Sequence, residues 1–579
     1  MQTRHNLADT IRRNAHNADI APNRIGLVWG DQEWPWTELD EKVDYYAHGL
    51  RQLGLNRPNS HPARVAIALP NRPEFALAYF AALRAGFVAV PINPAYTGRE
   101  LHQLLSDAGA SVLIAGADVI TAVDDFGAPL PELTQRFRVG TAIDGTGIDG
   151  TGIDGTALAG RGEDGRANLS ATPWADLAVA GGPVEPTTGD EDLAVLLYTS
   201  GSEGRPKGAM LSHRALLANH EQLARIEPPP IGPDDVVLLA VPLFHAYGLN
   251  SGLGAVAYHG ACGVLVDSVD SLDAATVNLP GERRLSALLG VPAMFSAWAQ
   301  VADPAALASV RVALSGAAPL EPAIAHEFEA VWPGQLAVGY GLTETAPGVT
   351  TTLASPQRKE GSIGRALPGI DVRLVNAAGA DVWRSDEPAV AEELDDFDDD
   401  AAGSPGTDPG EIVVRGANLF SGYWPDGHDG PDPSGWWATG DVAFADADGD
   451  LFLVDRLREL ILVNGFNVYP AEVEQVLTAH PAIAEAAVIG VPHLPSGQSV
   501  KAYVVVRPPE AGVSAVSPVD LATYCARNLA RYKCPSEFEF VAELPHSATG
   551  KVRKAALRDA RSVAGEGLPH DEGMAHAEQ

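Results

Sequence analysis

The segment LAVLLYTSGSEGRPKGAMLSH runs from an apolar stretch into a turn that holds Thr199, Ser200, Gly201, Ser202, Gly204, Lys207 and Gly208. Glycines let the backbone approach a bulky anion, N–H groups and hydroxyls donate to phosphate oxygens, and a lysine brings charge on a long stem. Glycines alone would read as a surface turn. Hydroxyls, glycines and a lysine together at the end of a buried strand point to a phosphate. The Walker pattern is absent, because no Gly-Lys-Ser/Thr closes the loop. The expected local order is strand, glycine loop, helix.

The elements that must position such a loop read as α/β. A helix is expected over TELDEKVDYYAHGLRQLG, opened by a variant capping box of Thr37 and Asp40 and closed by Gly54. RVAIALP then reads as a buried strand and EFALAYFAALRAG as a helix ending at Gly86, which is the alternation of a strand-and-helix sheet. Past Asp455 the character changes. RLRELILVNGFNVYP is strand-like, Pro470 starts the helix AEVEQVLTAH, and VKAYVVV and DLATYCARNLARYK supply a strand and a helix of a small α+β domain. The glycine-rich repeat GTGIDGTGIDG within 140–165 and the acidic stretch 386–409 read as flexible surface inserts, and the polar tail as disordered.

At 579 residues the chain exceeds one ordinary core, so two or more domains are expected. A net charge of -35 argues against nucleic-acid binding and against a polybasic membrane anchor. The N-terminus lacks the apolar core of a secretory signal, and no run of about 18 apolar residues suggests a membrane span. Peripheral lipid contact is left open. The cysteines Cys262, Cys525 and Cys534 form no disulfide or metal spacing, which fits a reducing, cytoplasmic setting.

Further segments stand in one order along the chain: RVAIALPNRPEFALAYFAALRAGFVAVPINP, the glycine loop, VALSGAAPL, VGYGLTETAP, WWATGDVA, DRLRELILVNGFNVYPAEVE and LPHSATGKVRKAALR. Together they resemble the motifs of the adenylate-forming superfamily, which holds acyl-CoA synthetases, luciferases and peptide-synthetase adenylation domains. The resemblance covers residues 20 to 562. It implies a large N-terminal domain, 1–457, of stacked αβαβα sub-domains with a small β-barrel-like part. A small mobile α+β lid, 458–562, and a disordered tail, 563–579, follow.

The resemblance also implies roles. ATP would sit on the loop of Thr199 to Lys207, with Gly316 and Ala317 lining adenine, Tyr340 packed on it, Thr343 bonding a phosphate and Glu344 holding Mg²⁺. Asp441 would accept the ribose hydroxyls beside Arg456. Lys551 would bridge the substrate carboxylate and the phosphate during adenylation. Rotation about a hinge at Arg458 would then bring Asn464, Gly465 and Phe466 to line a tunnel for coenzyme A. The chemistry agrees with this division, since two anions meet when a carboxylate attacks an α-phosphate, and cations and donors must lie where charge develops. Two positions depart from the usual pattern: Ser202-Glu203 replaces Thr-Thr, and Arg458 stands where Asp or Lys is commoner.

PLFHAYGL resembles the segment in which a histidine, here His245, closes the acyl pocket. No acid appears there to pair with an α-amino group, which disfavours an amino-acid substrate. Medium- or long-chain fatty acids are expected, with an aromatic acid as the alternative. The run after Glu344 has ordinary length, which favours coenzyme A over a carrier protein as acceptor. A non-catalytic nucleotide- or acyl-binding relative is the contrasting class, and it would have no use for Lys551.

Overall fold

The structure is a computed structural model. It describes residues 5–17, 23–55, 62–140, 171–199, 206–266, 279–280, 283–301, 307–386, 406–456, 459, 461–463, 466–468, 470–493, 497–507, 516–529, 531–547, 550–554 and 556–558. The expected inserts over 140–165 and 386–409 lie almost wholly outside these residues, as does the tail.

Two sheets flank one apolar core. In the first, seven strands run in the order Thr172–Pro173, Gln135–Val139, Val112–Gly116, Arg64–Ala68, Val88–Pro91, Leu193–Thr199 and Lys207–Ser212. Neighbours are parallel until the last pair, which is antiparallel. The second sheet has a parallel half of Ile25–Trp29, Cys262–Leu265, Val236–Leu239, Ala287–Gly290, Val312–Ser315 and Ala337–Gly341. It continues through antiparallel strands from Gly348–Thr351 to Trp436–Ala445 and Leu451–Arg456. Those later strands close around a smaller core of their own, with Val349, Leu374, Ile412 and Leu451 fully buried.

The helix Pro73–Ala85 shows why the sheets stack. Proline fits the first helical turn, and Gly86 ends the helix at φ 81° as the alternation predicts. Its apolar residues face every direction, which marks a helix enclosed on all sides. Phe75, Tyr79 and Leu83 accordingly share one cluster with Val65 and Ile67 of the first sheet and Leu238 and Leu289 of the second. Arg84 on this helix is fully buried and lies 2.7 Å from Asp40 Oδ1 and 3.0 Å from Asp44 Oδ1. A buried guanidinium needs such partners, because an unpaired charge there would cost several kcal/mol.

That pairing corrects the expected capping box. The helix runs Trp36–Gln52, starting one residue before Thr37, with Pro35 at its cap and no side-chain cap bond. Asp40 faces inward to Arg84 instead of back to the helix start. Gly54 does follow the helix with φ 59°.

The glycine loop requires a second correction. Lys207 opens the strand Lys207–Ser212, which pairs antiparallel with Leu193–Thr199, and only then does the helix His213–Leu223 begin. The local order is strand, loop, strand, helix. Burial on both faces, Ala209 and Leu211 in one core and Met210 in another, explains the extended form, and Ser212 caps the helix by accepting from Ala215 N at 3.1 Å.

After Ile461 the strands build their own five-membered sheet. Pro470 begins the helix Pro470–Thr478, and Gly497–Val506 is the expected strand. The last expected helix is shorter than its apolar pattern, spanning Pro518–Asn528 before a single 3₁₀ turn at Arg531–Lys533. No helix among the described residues is long and apolar enough to cross a membrane.

Candidate active site

The site residues sit where strands end. Thr199 finishes Leu193–Thr199, Gly316 follows Val312–Ser315, and Thr343 and Glu344 lie in a 3₁₀ turn just after Ala337–Gly341. Ligands of open α/β sheets bind at such carboxyl ends, where backbone groups lose their strand partners. Ser200, Gly201, Ser202 and Gly204 lie outside the described residues, so only the two rims of the glycine loop are placed. Thr199 Oγ1 donates to the carbonyl of Lys207 across the loop's base at 3.4 Å.

Three ladder-like bonds join this edge to the antiparallel lobe. Ser421 N donates to Met210 O, Met210 N to Gly422 O, and Trp424 N to Gly208 O, at 2.9, 3.1 and 2.8 Å. The loop so attached carries two side chains that the sequence reading missed. Tyr423 donates its hydroxyl to Glu344 Oε1 at 2.6 Å, and Lys207 Nζ stands 5.0 Å over the same ring. Asp429 Oδ2 receives Lys207 Nζ at 3.2 Å. The available signal was a Gly-Tyr-Trp triplet entering a turn dense in Gly, Pro and Asp, between two strands.

Glu344 is 6% exposed. A carboxylate so buried must be bonded or paired, and its turn is held from below by amides. Asn250 Nδ2 donates to Ala346 O at 2.7 Å, and Asn418 Nδ2 to Thr345 O at 2.6 Å. Gly341 is obligatory beside it, since a Cβ there would lie 1.7 Å from Pro347 O.

A second pair lies on the same strand end. Tyr340 donates its hydroxyl to Asp441 Oδ2 at 2.7 Å. Asp441 sits on Trp436–Ala445 and pairs backbone to backbone with Arg456 on Leu451–Arg456. Gly316 faces the ring of Tyr247, whose atoms would stand 3.2 Å from an added Cβ. Ala317 next to it holds φ at 67°, a left-handed conformation that costs a non-glycine residue about 1 kcal/mol. Close backbone turns of this kind leave a flat, side-chain-free wall.

His245 precedes a π-helix over Tyr247–Gly254 and accepts from Tyr247 N through Nδ1 at 3.2 Å. Burial pushes its pKa down to about 4, and the positive charge of Lys551 pushes the same way. Lys551 of the C-terminal lobe thus acts electrostatically on His245. A Cβ on Gly550 would stand 3.8 Å from Ala293 of the N-terminal lobe, and Arg553 acts electrostatically on Tyr96. Arg458, Asn464 and Gly465 lie outside the described residues, while Phe466 opens the strand Phe466–Val468.

The structure thus gathers Lys207, Tyr423 and Glu344 at one rim, Tyr340 and Asp441 beside them, and His245 under Lys551. This arrangement offers cations, hydroxyls and two buried carboxylates, a donor set that suits a polyanion with its counter-cation. Glu344 fits a hard cation such as Mg²⁺, which takes one or two protein carboxylates and completes its shell with water and phosphate oxygens. No group of three or more His, Cys, Asp or Glu among the described residues could hold a metal ion by itself.

The profile of AMP-binding enzymes matches residues 14–424, and that of the AMP-binding enzyme C-terminal domain matches 472–551. A long-chain-fatty-acid–CoA ligase of Yersinia pestis is 33% identical over 544 residues, covering 90% of this chain and 89% of that protein. A feruloyl-CoA synthase of Amycolatopsis sp. is likewise 33% identical, over 93% and 96% of the two chains. Among solved structures, ATP-bound MatB from Rhodopseudomonas palustris superposes with a TM-score of 0.76 at 27% identity, covering 96% of this chain and 99% of that one. A Mycobacterium tuberculosis fatty acyl CoA synthetase gives 0.69 at 27%, over the same shares.

Proposed function

This chain belongs to the family of AMP-binding enzymes, and we propose that it is an ATP- and Mg²⁺-dependent ligase that converts a medium- or long-chain fatty acid to its coenzyme A thioester. In the first step a carboxylate oxygen attacks the α-phosphorus of ATP and pyrophosphate leaves, giving acyl-AMP. In the second the thiolate of coenzyme A attacks the acyl carbon and AMP leaves. The observation that supports the reading is that Lys207 and Glu344 meet at Tyr423 beside the Tyr340–Asp441 pair, while Gly550, next to Lys551, comes up against Ala293 of the N-terminal lobe.

Each role follows from charge. The loop from Thr199 through Ser200, Gly201, Ser202 and Gly204 to Lys207 cradles the triphosphate, and Thr343 donates to it. Asp441 turns from the Tyr340 hydroxyl to the ribose, with Arg456 beside it. Gly316 and Ala317 form one wall of the adenine slot and Tyr340 the other. Glu344 would hold Mg²⁺, which when bound neutralises phosphate charge. Lys551 spans the two reacting anions and aligns them, the contribution expected of a positioned ammonium. His245, neutral and half-buried, closes the acyl pocket without repelling that ammonium.

Lys551 and a thiol need the same face of the adenylate. The lobe from 458 to 562 therefore rotates against 1–457 about Arg458 between steps, bringing Asn464, Gly465 and Phe466 to the coenzyme. A panel of C6 to C16 acids, with acid-dependent ATP–pyrophosphate exchange and thioester formation read separately, tests the proposal. No exchange with any acid defeats it, and exchange without a coenzyme A thioester redirects it to a carrier-protein acceptor. The feruloyl-CoA synthase likeness supports an aryl acid as the second reading, which ferulate in the same panel distinguishes.

A further inference from the structure

Lys554, three residues beyond Lys551, takes no part in the chemistry above, yet it is the most enclosed cation of its segment. Its side chain is 10% exposed, and Nζ lies 2.8 Å from Glu459 Oε2 and 2.8 Å from Glu474 Oε1. Burial opposes its charge, but the carboxylates of Glu474 and Glu459 outweigh that and hold its pKa above the ordinary lysine value. The two acids come from different places. Glu474 belongs to the helix Pro470–Thr478 and also receives Val488 N at 2.6 Å, which fixes it to the lobe's long strand. Glu459 adjoins Arg458, the position at which the lobe is read to rotate.

Between Pro545 and Arg553 the chain makes a narrow hairpin. Arg553 N donates to Pro545 O at 2.7 Å, His546 bridges Val552, and Ser547 N donates to Lys551 O at 2.8 Å. Lys551 stands at its tip, and its own N–H donates to Ser547 Oγ at 3.1 Å. Such a two-chain finger swings about its base unless the base is gripped. On one side the grip is apolar, Leu557 packing with Ile489, Tyr503 and Leu544. On the other it is Lys554.

We infer that Lys554 is a positioning residue that ties the base of the Lys551 hairpin to Glu459 beside the hinge and to Glu474 in the lobe, so that rotation carries Lys551 as a rigid arm. The inference rests on the proposed role of Lys551. A finger loosened at its base leaves Lys551 near the cleft but misaligned, and a displacement of about 1 Å at a reacting centre lowers rate by about a hundredfold. The thioester-forming step, which uses another face of the lobe, does not depend on that alignment.

The test compares Lys554→Met with Lys554→Arg in the full-length enzyme. Pyrophosphate exchange should fall by more than about tenfold in the methionine variant, while thioester formation from supplied acyl-AMP stays within about threefold of wild type, and arginine should restore exchange. Amide hydrogen exchange over 545–553 should rise in the same variant and remain unchanged in Ile483–His493. Unaltered pyrophosphate exchange, or parallel loss of both half-reactions, overturns the inference. If Lys554→Met does not fold, Glu459→Gln, which keeps an acceptor but removes a charge, carries the same comparison. Absence of acid-dependent exchange in the wild-type enzyme would instead overturn the ligase reading itself.

Discussion

Lys551 of the C-terminal lobe makes His245 of the N-terminal lobe harder to protonate. Under the proposed rotation the two groups would stand near one another only in the arrangement seen here, so the histidine would report on it. Burial sets most of its depression to about 4 and the lysine supplies the remainder. Replacing Lys551 with Ala should therefore raise the His245 pKa while leaving it below the free value of about 6.5. Following the imidazole carbon resonance against pH in both proteins measures this directly. An identical titration in the two would mean that the lobes do not meet in solution.

Catalysis should respond to the same substitution in one half only. Lys551→Ala should lower adenylation by two orders of magnitude or more, on the order of 3 kcal/mol of transition-state stabilisation, and spare thioester formation from supplied acyl-AMP. Equal losses in both halves would contradict the assignment of Lys551 to the first step.

If Lys207 holds the triphosphate as proposed, Asp429, which pairs with it here, would compete for the same ammonium. The pair is partly open to solvent, with side-chain exposures of 33% for the lysine and 63% for the acid, so its strength lies in the range of about 0–1 kcal/mol. Asp429→Asn should lower the KM for ATP by about two- to fivefold, and the difference should shrink as salt is added. A raised KM would show that Asp429 supports the nucleotide site instead of occupying its lysine.

Much of this arrangement was legible in the sequence because strand ends announce themselves. Gly86 closes its helix and Pro470 opens one where the local chemistry requires it, and Lys207 stands in a loop whose residue types already point to a phosphate, whereas Glu344 and Asp441 stand out only through the family resemblance. The misreadings have one cause, which is that tertiary partners override local pattern. Thr37 and Asp40 have capping spacing, but a fully buried Arg84 claims the acid. Lys207 looked like the entry to a helix until its neighbours Ala209 and Leu211 found a core to face in the extended form. Tyr423 and Asp429 are set against Glu344 and Lys207 by chain crossings that no local signal encodes.

Tyr423→Phe isolates one of these contacts. Phenylalanine keeps the ring beneath Lys207 and removes only the hydroxyl that donates to Glu344. A hydrogen bond to a buried charge contributes about 2 kcal/mol, so pyrophosphate exchange should fall by about thirtyfold, with the loss concentrated in the Mg²⁺ dependence. Exchange unaffected at limiting metal would show that Glu344 is held well enough by its backbone turn.

The stability of the N-terminal lobe should fall steeply with acid before its carboxylates titrate. His213 and His220 are 0% and 1% exposed, and burial lowers their pKa values to about 4 and about 3. In the unfolded chain both take up protons near pH 6.5, whereas in the folded protein they remain neutral, so between about pH 6.5 and 4 the unfolded state binds more protons. Their stabilising effect is complete above pH 6.5 and is lost as pH falls toward the folded values, by roughly 3 kcal/mol for His213 and roughly 5 kcal/mol for His220 at the limit. Surface carboxylates, with pKa values of about 4, leave the upper part of this window to the histidines. Denaturant midpoints measured from pH 7.5 to 5 should decline, and His220→Gln should reduce the slope by removing one proton from the uptake. A flat midpoint across that range would mean that the two rings are already charged, or hydrated, inside the fold.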